Sequence, residues 1–176
     1  VDTNKGFKTF HHFLNSFERA SKTFAIAGNH DYFFGIDRMR KLVEANNLDW
    51  IEQKSVLFQS KGTSIQIDGN CSRSKNKEAD LHINLVHNPS RIASENYDII
   101  LAGHLHGSQI VLWKKGESMY PGRLFYKWNR LRKRLGNCSI YISKGLGDTL
   151  PVRINCSKEI VIVDIINENE KVRTNF

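Results

Sequence analysis

The stretch Ile99-Ile100-Leu101-Ala102-Gly103-His104-Leu105-His106-Gly107 decides the fold class of this 176-residue chain. Its first four residues are all apolar, which is typical of a strand that is buried on both faces of a sheet. Two histidines follow in a loop between two glycines. Because α/β proteins collect their chemistry at the ends of such strands, the stretch predicts an α/β fold with a functional site at His104 and His106.

Two other predicted strands end in polar residues of the same kinds. The strand 23–27 runs into Gly28-Asn29-His30-Asp31, and the strand 83–86 is followed by His87-Asn88. Imidazole nitrogens and amide oxygens are ligands that suit Mn, Fe, Zn or Co, whereas a site for Mg or Ca is built mainly from carboxylates. The three strand ends together therefore predict a transition-metal site.

The remaining patterns predict helices early in the chain and strands later. Apolar residues recur at helical spacing in the first 20 residues and again in the segment 37–47, which Asp37 is placed to cap. A hairpin at 56–59 and 63–68, a polar loop at 69–80 and three late strands at 109–113, 139–143 and 159–165 complete the pattern. This order predicts two packed mixed sheets flanked by helices. The apolar residues of the two helices are Phe7, Phe10, Phe13, Leu14 and Phe17, then Met39, Leu42 and Val43.

The composition is that of one globular domain over residues 1–176. Hydrophobic residues make up 40% of the chain and charged residues 25%, which excludes a disordered or collagen-like protein. No apolar run approaches the roughly 18 residues of a membrane span, and no signal peptide opens the sequence. With 3 scattered cysteines the chain has no disulfide framework, so we expect a reducing, cytoplasmic compartment.

Positive charge is concentrated in one segment. The chain carries a net charge of +8, and the segment 113–136 holds eight basic residues and a single acid, Glu117. Such a patch indicates an anionic partner such as lipid head groups, a phosphorylated substrate or nucleic acid, although a solvated basic surface gives the same pattern. The basic residues are Lys114, Lys115, Arg123, Lys127, Arg130, Arg132, Lys133 and Arg134.

Within this segment the spacing of Leu124, Trp128, Leu131 and Leu135 predicts an amphipathic basic helix over 121–135, near the functional site. Such a helix can bury its leucines on the sheet, or it can lie on an anionic membrane surface. Nucleic acid is less favoured, because its aromatic residues cluster with leucines instead of spreading along a groove. The candidate contacts to substrate or membrane are Arg123, Lys127, Trp128, Arg130, Arg132, Lys133 and Arg134.

Three motifs in this order resemble those of calcineurin-like metallophosphoesterases. The sequence Ala27-Gly28-Asn29-His30-Asp31 looks like their GNHD motif, His87-Asn88-Pro89 their isolated histidine motif, and Gly103-His104-Leu105-His106-Gly107-Ser108-Gln109 their GHxHGxQ motif. The segments 143–147 and 151–156 are similar to the C-terminal pattern of the bacterial phosphodiesterase branch. The resemblance implies an α/β/β/α sandwich of two packed mixed sheets.

The resemblance also implies roles for the site residues. Asn29, His87 and His104 would bind one ion of a two-metal centre, and His106 would bind the other. His30, oriented by Asp31, would contact the phosphate and could protonate the leaving oxygen. The nucleophile would be a hydroxide that bridges two divalent ions, with Mn²⁺ favoured over Zn²⁺, Fe²⁺ or Co²⁺. The expected activity is that of a phosphohydrolase acting on a phosphodiester or pyrophosphate bond.

The sequence departs from the family at its N-terminal side. Members carry an Asp-x-His motif and a Gly-Asp-x-Val-Asp motif before GNHD, and neither complete motif occurs here. Val1-Asp2 lies where the second motif would end, so we expect that the domain lacks its first strands and that a preceding segment completes the metal site. The alternatives are completion by another chain segment, or a domain without catalysis. The loop 69–80 is also short for this branch.

A lipid substrate agrees best with the basic aromatic segment. Within the family, enzymes that cleave the pyrophosphate of UDP-2,3-diacylglucosamine in lipid A synthesis need a lipid-facing element, so this reaction is the specific hypothesis. It implies peripheral association with the inner face of a membrane. The alternatives are a soluble nucleotide or nucleic-acid phosphodiesterase, and a degenerate phosphoesterase domain that serves as a non-catalytic scaffold. The intact Asn29, His30, His87, His104 and His106 argue against the scaffold.

Overall fold

A computed structural model of the protein describes residues 3–16, 22–72, 75–92 and 96–166. Four α-helices lie within these ranges: α1 (Asn4–Ser16), α2 (Asn29–Phe34), α3 (Ile36–Ala45) and the single turn α4 (Gly122–Phe125). The first strands are β1 (Phe24–Ala25), β2 (Asp49–Trp50), β3 (Ser55–Ser60), β4 (Thr63–Gly69), β5 (Leu81–Val86) and β6 (Ile99–Ala102). The later strands are β7 (Val111–Lys115), β8 (Ser118–Pro121), β9 (Arg132–Leu135) and β10 (Cys138–Ile142).

A six-stranded mixed sheet forms the centre of the fold. Its strand order is β3-β4-β5-β6-β10-β9, in which the four inner strands run parallel and the two edge strands run antiparallel to their neighbours. The inner strands are rich in β-branched residues, and Ile100 and Ile140 are completely buried. The carboxyl ends of β5 and β6 therefore lie side by side, which is where the predicted histidine loops begin.

The two predicted N-terminal helices form a second layer with a small parallel sheet. The sheet consists of β1 and β2, and the core residues Leu14, Met39, Val43 and Trp50 join α1 and α3 to it. Arg38 on α3 lies over the ring of Phe7 at 4.1 Å, which ties the two helices together. Phe17, which belongs to the first predicted helix, lies outside the described residues.

A third, antiparallel sheet of β7 and β8 packs through Val111 and Met119 against Cys156. The predicted α/β class, with mixed sheets and flanking helices, is confirmed. Apart from the two segments discussed next, the predicted strands lie within two residues of the observed ones. No helix in the described part of the chain is long and apolar enough to cross a membrane.

The predicted amphipathic helix over 121–135 is wrong. Only the turn α4 is helical, and β9 occupies the end of the segment, where it pairs with β10. The physical reason is the two-residue connection at Gly136 and Asn137: Gly136 has a φ of +56°, and Leu135 lies directly opposite Cys138. Such a glycine-containing connection favours a β-hairpin. Trp128 packs on the core of the central sheet instead of on a helix face.

The predicted strand 159–165 is also wrong. The segment forms no ladder with any strand in the described ranges, and Ile162 is 84% exposed. Its residues Ile160, Val161, Val163 and Ile165 line an apolar cavity of about 430 Å³ together with Leu101 and Tyr141 of the sheet. The apolar run predicts a strand, whereas the segment lies against the sheet without pairing to it.

Candidate metal centre

Three loops bring the predicted ligands to one edge of the central sheet. Asn29 opens α2, His87 follows β5, and His104 lies two residues beyond β6. Val86 is directly opposite Ala102 in the parallel ladder, and the Gly103 amide donates to the His87 carbonyl at 3.1 Å. Because the strands are in register, the two histidine loops leave the sheet together.

The side chains of Asn29, His87 and His104 converge. His87 Nε2 is 2.8 Å from Asn29 Oδ1, and His104 Nδ1 lies 3.1 Å from both of these atoms. The two imidazole rings meet edge to face, with their centroids 4.9 Å apart. One amide oxygen and two ring nitrogens thus form a compact triangle of possible ligand atoms.

The chemistry of this donor set fits a divalent transition metal. Ligand atoms bound at right angles about 2.1 Å from one ion lie about 3.0 Å apart, close to the spacing seen here. Burial lowers the pKa of His87 to about 4, with His104 as a second cause, and burial also lowers the pKa of His104. Both imidazoles are therefore neutral at pH 7, the form in which histidine binds metals.

The set contains no carboxylate. Among the described residues, no group of three His, Cys, Asp or Glu side chains is arranged to hold a metal ion. The third donor here is an amide oxygen, which carries no charge to offset that of a cation. The triangle alone is thus an incomplete first shell for a divalent ion, and further oxygen ligands are needed to fill it.

His106 faces the same cavity from the next turn of its loop. The cavity has a volume of about 550 Å³ and is lined by Asn29, His30, His87, His104 and His106. The Nδ1 atom of His106 lies 2.9 Å from the Gly147 carbonyl oxygen. Burial lowers the pKa of His106, so this imidazole is neutral at pH 7 as well.

His30 and Asp31 occupy the first turn of α2. The Asp31 carboxylate accepts a hydrogen bond from the Gly28 amide at 2.7 Å, which closes the loop that presents Asn29. Both residues line the cavity shared with His106. The general-acid role of His30, and its orientation by Asp31, stay predictions.

Two residues that the sequence analysis missed hold the loops in place. The Asn70 side chain accepts from the His87 amide at 2.6 Å and donates to the Ala27 carbonyl at 2.8 Å. Glu52 accepts from Asn70 at 2.8 Å, from the Ala27 amide at 2.9 Å and from the Tyr32 hydroxyl at 2.6 Å. The pKa of Tyr32 is raised to about 12, mainly by burial and secondly by the hydrogen bond to Glu52. Asn70 therefore joins the loops that carry Asn29 and His87.

The loop after β6 has a strained backbone. His104, His106, Ser108 and Gln109 all have positive φ angles, between +49° and +72°. Such conformations are unfavourable for residues other than glycine, and they persist where the surroundings hold them in place. Gln109 supplies part of that support, since its buried side chain bonds to Thr149, Leu150 and Val152.

The predicted basic contacts separate into two groups. Lys127 and Trp128 line a cavity of about 270 Å³ together with His104, next to the metal triangle. Arg132, Lys133 and Arg134 instead lie on β9, an edge strand, where charged residues discourage edge-to-edge aggregation. Arg123 lies on α4 and Arg130 donates to Ser118 Oγ at 3.2 Å. The basic residues therefore do not share one helical face, contrary to the prediction.

Comparison with known proteins finds relatives of similar sequence. Phosphodiesterase YaeI of Escherichia coli K12 is 26% identical over 179 residues, which cover 94% of this chain and 66% of YaeI. An uncharacterized metallophosphoesterase of Helicobacter pylori 26695 is 26% identical, with 89% of this chain and 46% of the relative covered. The uncharacterized metallophosphoesterase YkoQ of Bacillus subtilis 168 is also 26% identical, and the match covers 87% of this chain and 64% of YkoQ.

The chain is similar to bacterial metallophosphoesterases. This similarity agrees with the resemblance that the motifs suggest. The chain spans 46 to 66% of the length of these three relatives. No family model and no solved structure matches the chain.

Proposed function

We propose that this chain carries the histidine ligands of a metal-dependent phosphodiesterase. The observation that carries the proposal is the convergence of Asn29 Oδ1, His87 Nε2 and His104 Nδ1 within 3.1 Å of one another. These residues lie between 17 and 75 positions apart in the sequence, so the fold itself assembles the triangle. The similarity to a named phosphodiesterase supports the same reaction class.

In this proposal Asn29, His87 and His104 hold one divalent ion and His106 contributes to a second. Bound ions of this kind supply Lewis-acid stabilisation of phosphoryl oxygens and activate water as a nucleophile. Mn²⁺ is the proposed ion, with Zn²⁺, Fe²⁺ or Co²⁺ as the other candidates for imidazole and amide ligands. Carboxylate ligands in addition to these four side chains would complete both positions.

His30 has a different proposed role. It lines the cavity beside the ligands, where its imidazole can donate a hydrogen bond to a phosphate oxygen or a proton to the leaving oxygen. Removing it should weaken the chemical step while the metal triangle stays intact.

The roles can be separated by comparing two variants of the full-length protein. We expect His30→Ala to lower turnover of bis(p-nitrophenyl) phosphate by about 10² to 10⁴ and to keep its metal content. His104→Ala should lose metal and activity together. Metal content is measured by inductively coupled plasma mass spectrometry. Equal metal loss in both variants would contradict the assigned roles, and a parent protein with bound metal but no turnover would favour the non-catalytic scaffold.

A lipid-linked substrate is the second part of the proposal. Phe125, which is 78% exposed, and Lys127 line the cavity that contains His104, and the neighbouring Leu124 is 69% exposed. Exposed apolar side chains next to a cation are suited to an acylated, anionic substrate or an anionic membrane surface. UDP-2,3-diacylglucosamine is the specific candidate, with peripheral association at the inner face of a membrane.

Phe125→Ser combined with Lys127→Glu tests this part, and Arg132→Gln combined with Arg134→Gln on β9, which lowers the net charge by the same two units, is the matched charge control. We expect only the first pair to reduce co-sedimentation with phosphatidylglycerol vesicles and turnover of UDP-2,3-diacylglucosamine. Turnover of bis(p-nitrophenyl) phosphate should stay unchanged in both. Equal binding by both double variants, with equal turnover of a soluble nucleotide diester and the lipid, would instead indicate a soluble nucleotide phosphodiesterase.

A further inference from the structure

Arg153 organises the loop that faces His106. Its guanidinium group donates to the Gly147 carbonyl at 2.6 Å and to the Lys144 carbonyl at 3.1 Å, both through Nη2. Nη1 donates to the Cys156 carbonyl at 3.3 Å, and Nε pairs with the Asp148 carboxylate at 2.5 Å. The Arg153 side chain is 10% exposed. With a longer contact from Nη2 to the Gly145 carbonyl at 3.5 Å, a single side chain thus joins five positions of the segment 144–156.

The Gly147 carbonyl oxygen is the shared partner of Arg153 and His106. It lies 2.6 Å from Arg153 Nη2 and 2.9 Å from His106 Nδ1. A carbonyl oxygen can only accept, so the hydrogen must be on His106 Nδ1. In a neutral imidazole the other nitrogen, Nε2, then carries the lone pair. The position of one carbonyl oxygen therefore sets the tautomer of His106.

We propose that Arg153 is a positioning residue that fixes the Nδ1–H tautomer of His106 through the Gly147 carbonyl. It thereby leaves Nε2 of His106 as the ligand atom. The consequence for metal binding rests on the proposed function, whereas the tautomer is a property of the chain without metal. Groups behind a histidine ligand commonly act in this way, by setting its tautomer and ring orientation.

An arginine is needed at this position for geometric reasons. Its planar fork reaches the Gly147 and Lys144 carbonyls with one terminal nitrogen, the Cys156 carbonyl with the other, and Asp148 with Nε. A lysine offers one nitrogen, which cannot occupy these places at once. Asp148 also pairs with Lys158 Nζ at 2.7 Å, so a carboxylate accompanies the buried guanidinium.

The test begins with the parent protein. In the full-length protein without metal and labelled with ¹⁵N-histidine, long-range ¹H–¹⁵N NMR spectra at pH 7.5 should show His106 protonated at Nδ1. We expect Arg153→Gln to convert His106 to a mixture of tautomers and to lower its affinity for Mn²⁺ by about 10- to 100-fold. Arg153→Lys should produce a smaller change in the same direction. Arg40→Gln, which removes an exposed arginine paired with Asp37 on α3, is the matched control and should change neither.

The spectrum of the parent protein and the behaviour of the variants each support or overturn the proposal. An Nε2–H tautomer in the parent overturns the proposal without any variant, and so does a folded Arg153→Gln protein whose His106 is still fully protonated at Nδ1. If Arg153→Gln does not fold, the parent spectrum and Arg153→Lys decide in its place. A tautomer shift without loss of Mn²⁺ affinity supports the positioning role and shows that the proposed function is wrong about His106 as a ligand.

Discussion

Gly28 is a residue at which the candidate site has no room for a side chain. A Cβ atom there would lie 2.9 Å from His87 Cε1 and 3.3 Å from His87 Nε2, closer than packed atoms approach. We therefore predict that Gly28→Ala displaces the His87 ring and lowers the affinity for Mn²⁺ about tenfold. Isothermal titration calorimetry of the full-length protein measures the change.

Gly103→Ala is the matched control for this substitution. It lies in the neighbouring loop, and its added Cβ would meet the His87 carbonyl oxygen at 3.9 Å, an ordinary van der Waals distance. The prediction fails if Gly28→Ala binds Mn²⁺ as tightly as Gly103→Ala does.

For individual residues, the sequence indicates which side chains follow the strands, but it does not indicate which other side chains hold those loops in place. Asn29, His87 and His104 could be predicted because each follows an apolar run and belongs to a motif. Asn70 could not, since its partner Ala27 is 43 positions away and nothing near Asn70 marks the contact. Arg153 belongs to a quoted motif, but its effect on His106 depends on a backbone carbonyl that no side-chain pattern reveals.

Among the elements, the loop 147–154 depends on Gln109. The side chain of Gln109 is buried, accepts from the amides of Thr149 and Leu150 at 2.9 and 2.8 Å, and donates to the carbonyls of Leu150 and Val152. We predict that Gln109→Ala lowers the free energy of unfolding by about 2 kcal/mol, because these groups lose their partner. Amide exchange at Thr149 and Leu150 should accelerate with it.

Gln59→Ala, at an exposed position of β3, provides the control. Chemical denaturation measures the stability of both variants, and hydrogen exchange monitored by NMR measures the local effect. Unchanged exchange at Thr149 and Leu150 in Gln109→Ala would show that the loop is held by other contacts.

The elements that were predicted wrongly share a cause. Spacing at 124, 128, 131 and 135 fits a helix, but the Gly136-Asn137 connection and the register of Leu135 opposite Cys138 select a hairpin. The apolar run at 159–165 fits a strand, but a strand also needs a neighbour for its backbone groups, and the described residues provide none. A local apolar pattern leaves the hydrogen-bonding partner of the backbone undetermined. The inner strand β6 was predicted correctly because its continuous apolar run allows few alternatives.

In the molecule as a whole, the candidate metal ligands come from three separate parts of the chain. Asn29 opens α2, which follows β1 and packs through Phe34 against the core of the second layer, whereas His87 and His104 follow neighbouring strands of the central sheet. An ion bound between them would therefore connect the two layers. The same ion would have little affinity for the unfolded chain, in which Asn29 is 58 and 75 positions from the other two ligands.

Binding to the folded state alone makes metal a stabiliser of the entire domain. At a free Mn²⁺ concentration 100 times the dissociation constant, we predict an increase of about 2.7 kcal/mol in the free energy of unfolding. His104→Ala should abolish this increase, because it removes one corner of the ligand triangle. His12→Ala should retain it, since His12 is exposed on α1. Denaturant titrations of the full-length protein with and without Mn²⁺ measure both effects. Equal stabilisation of His104→Ala and His12→Ala would place the bound ion elsewhere on the molecule, and the assignment of the triangle as its site would be wrong.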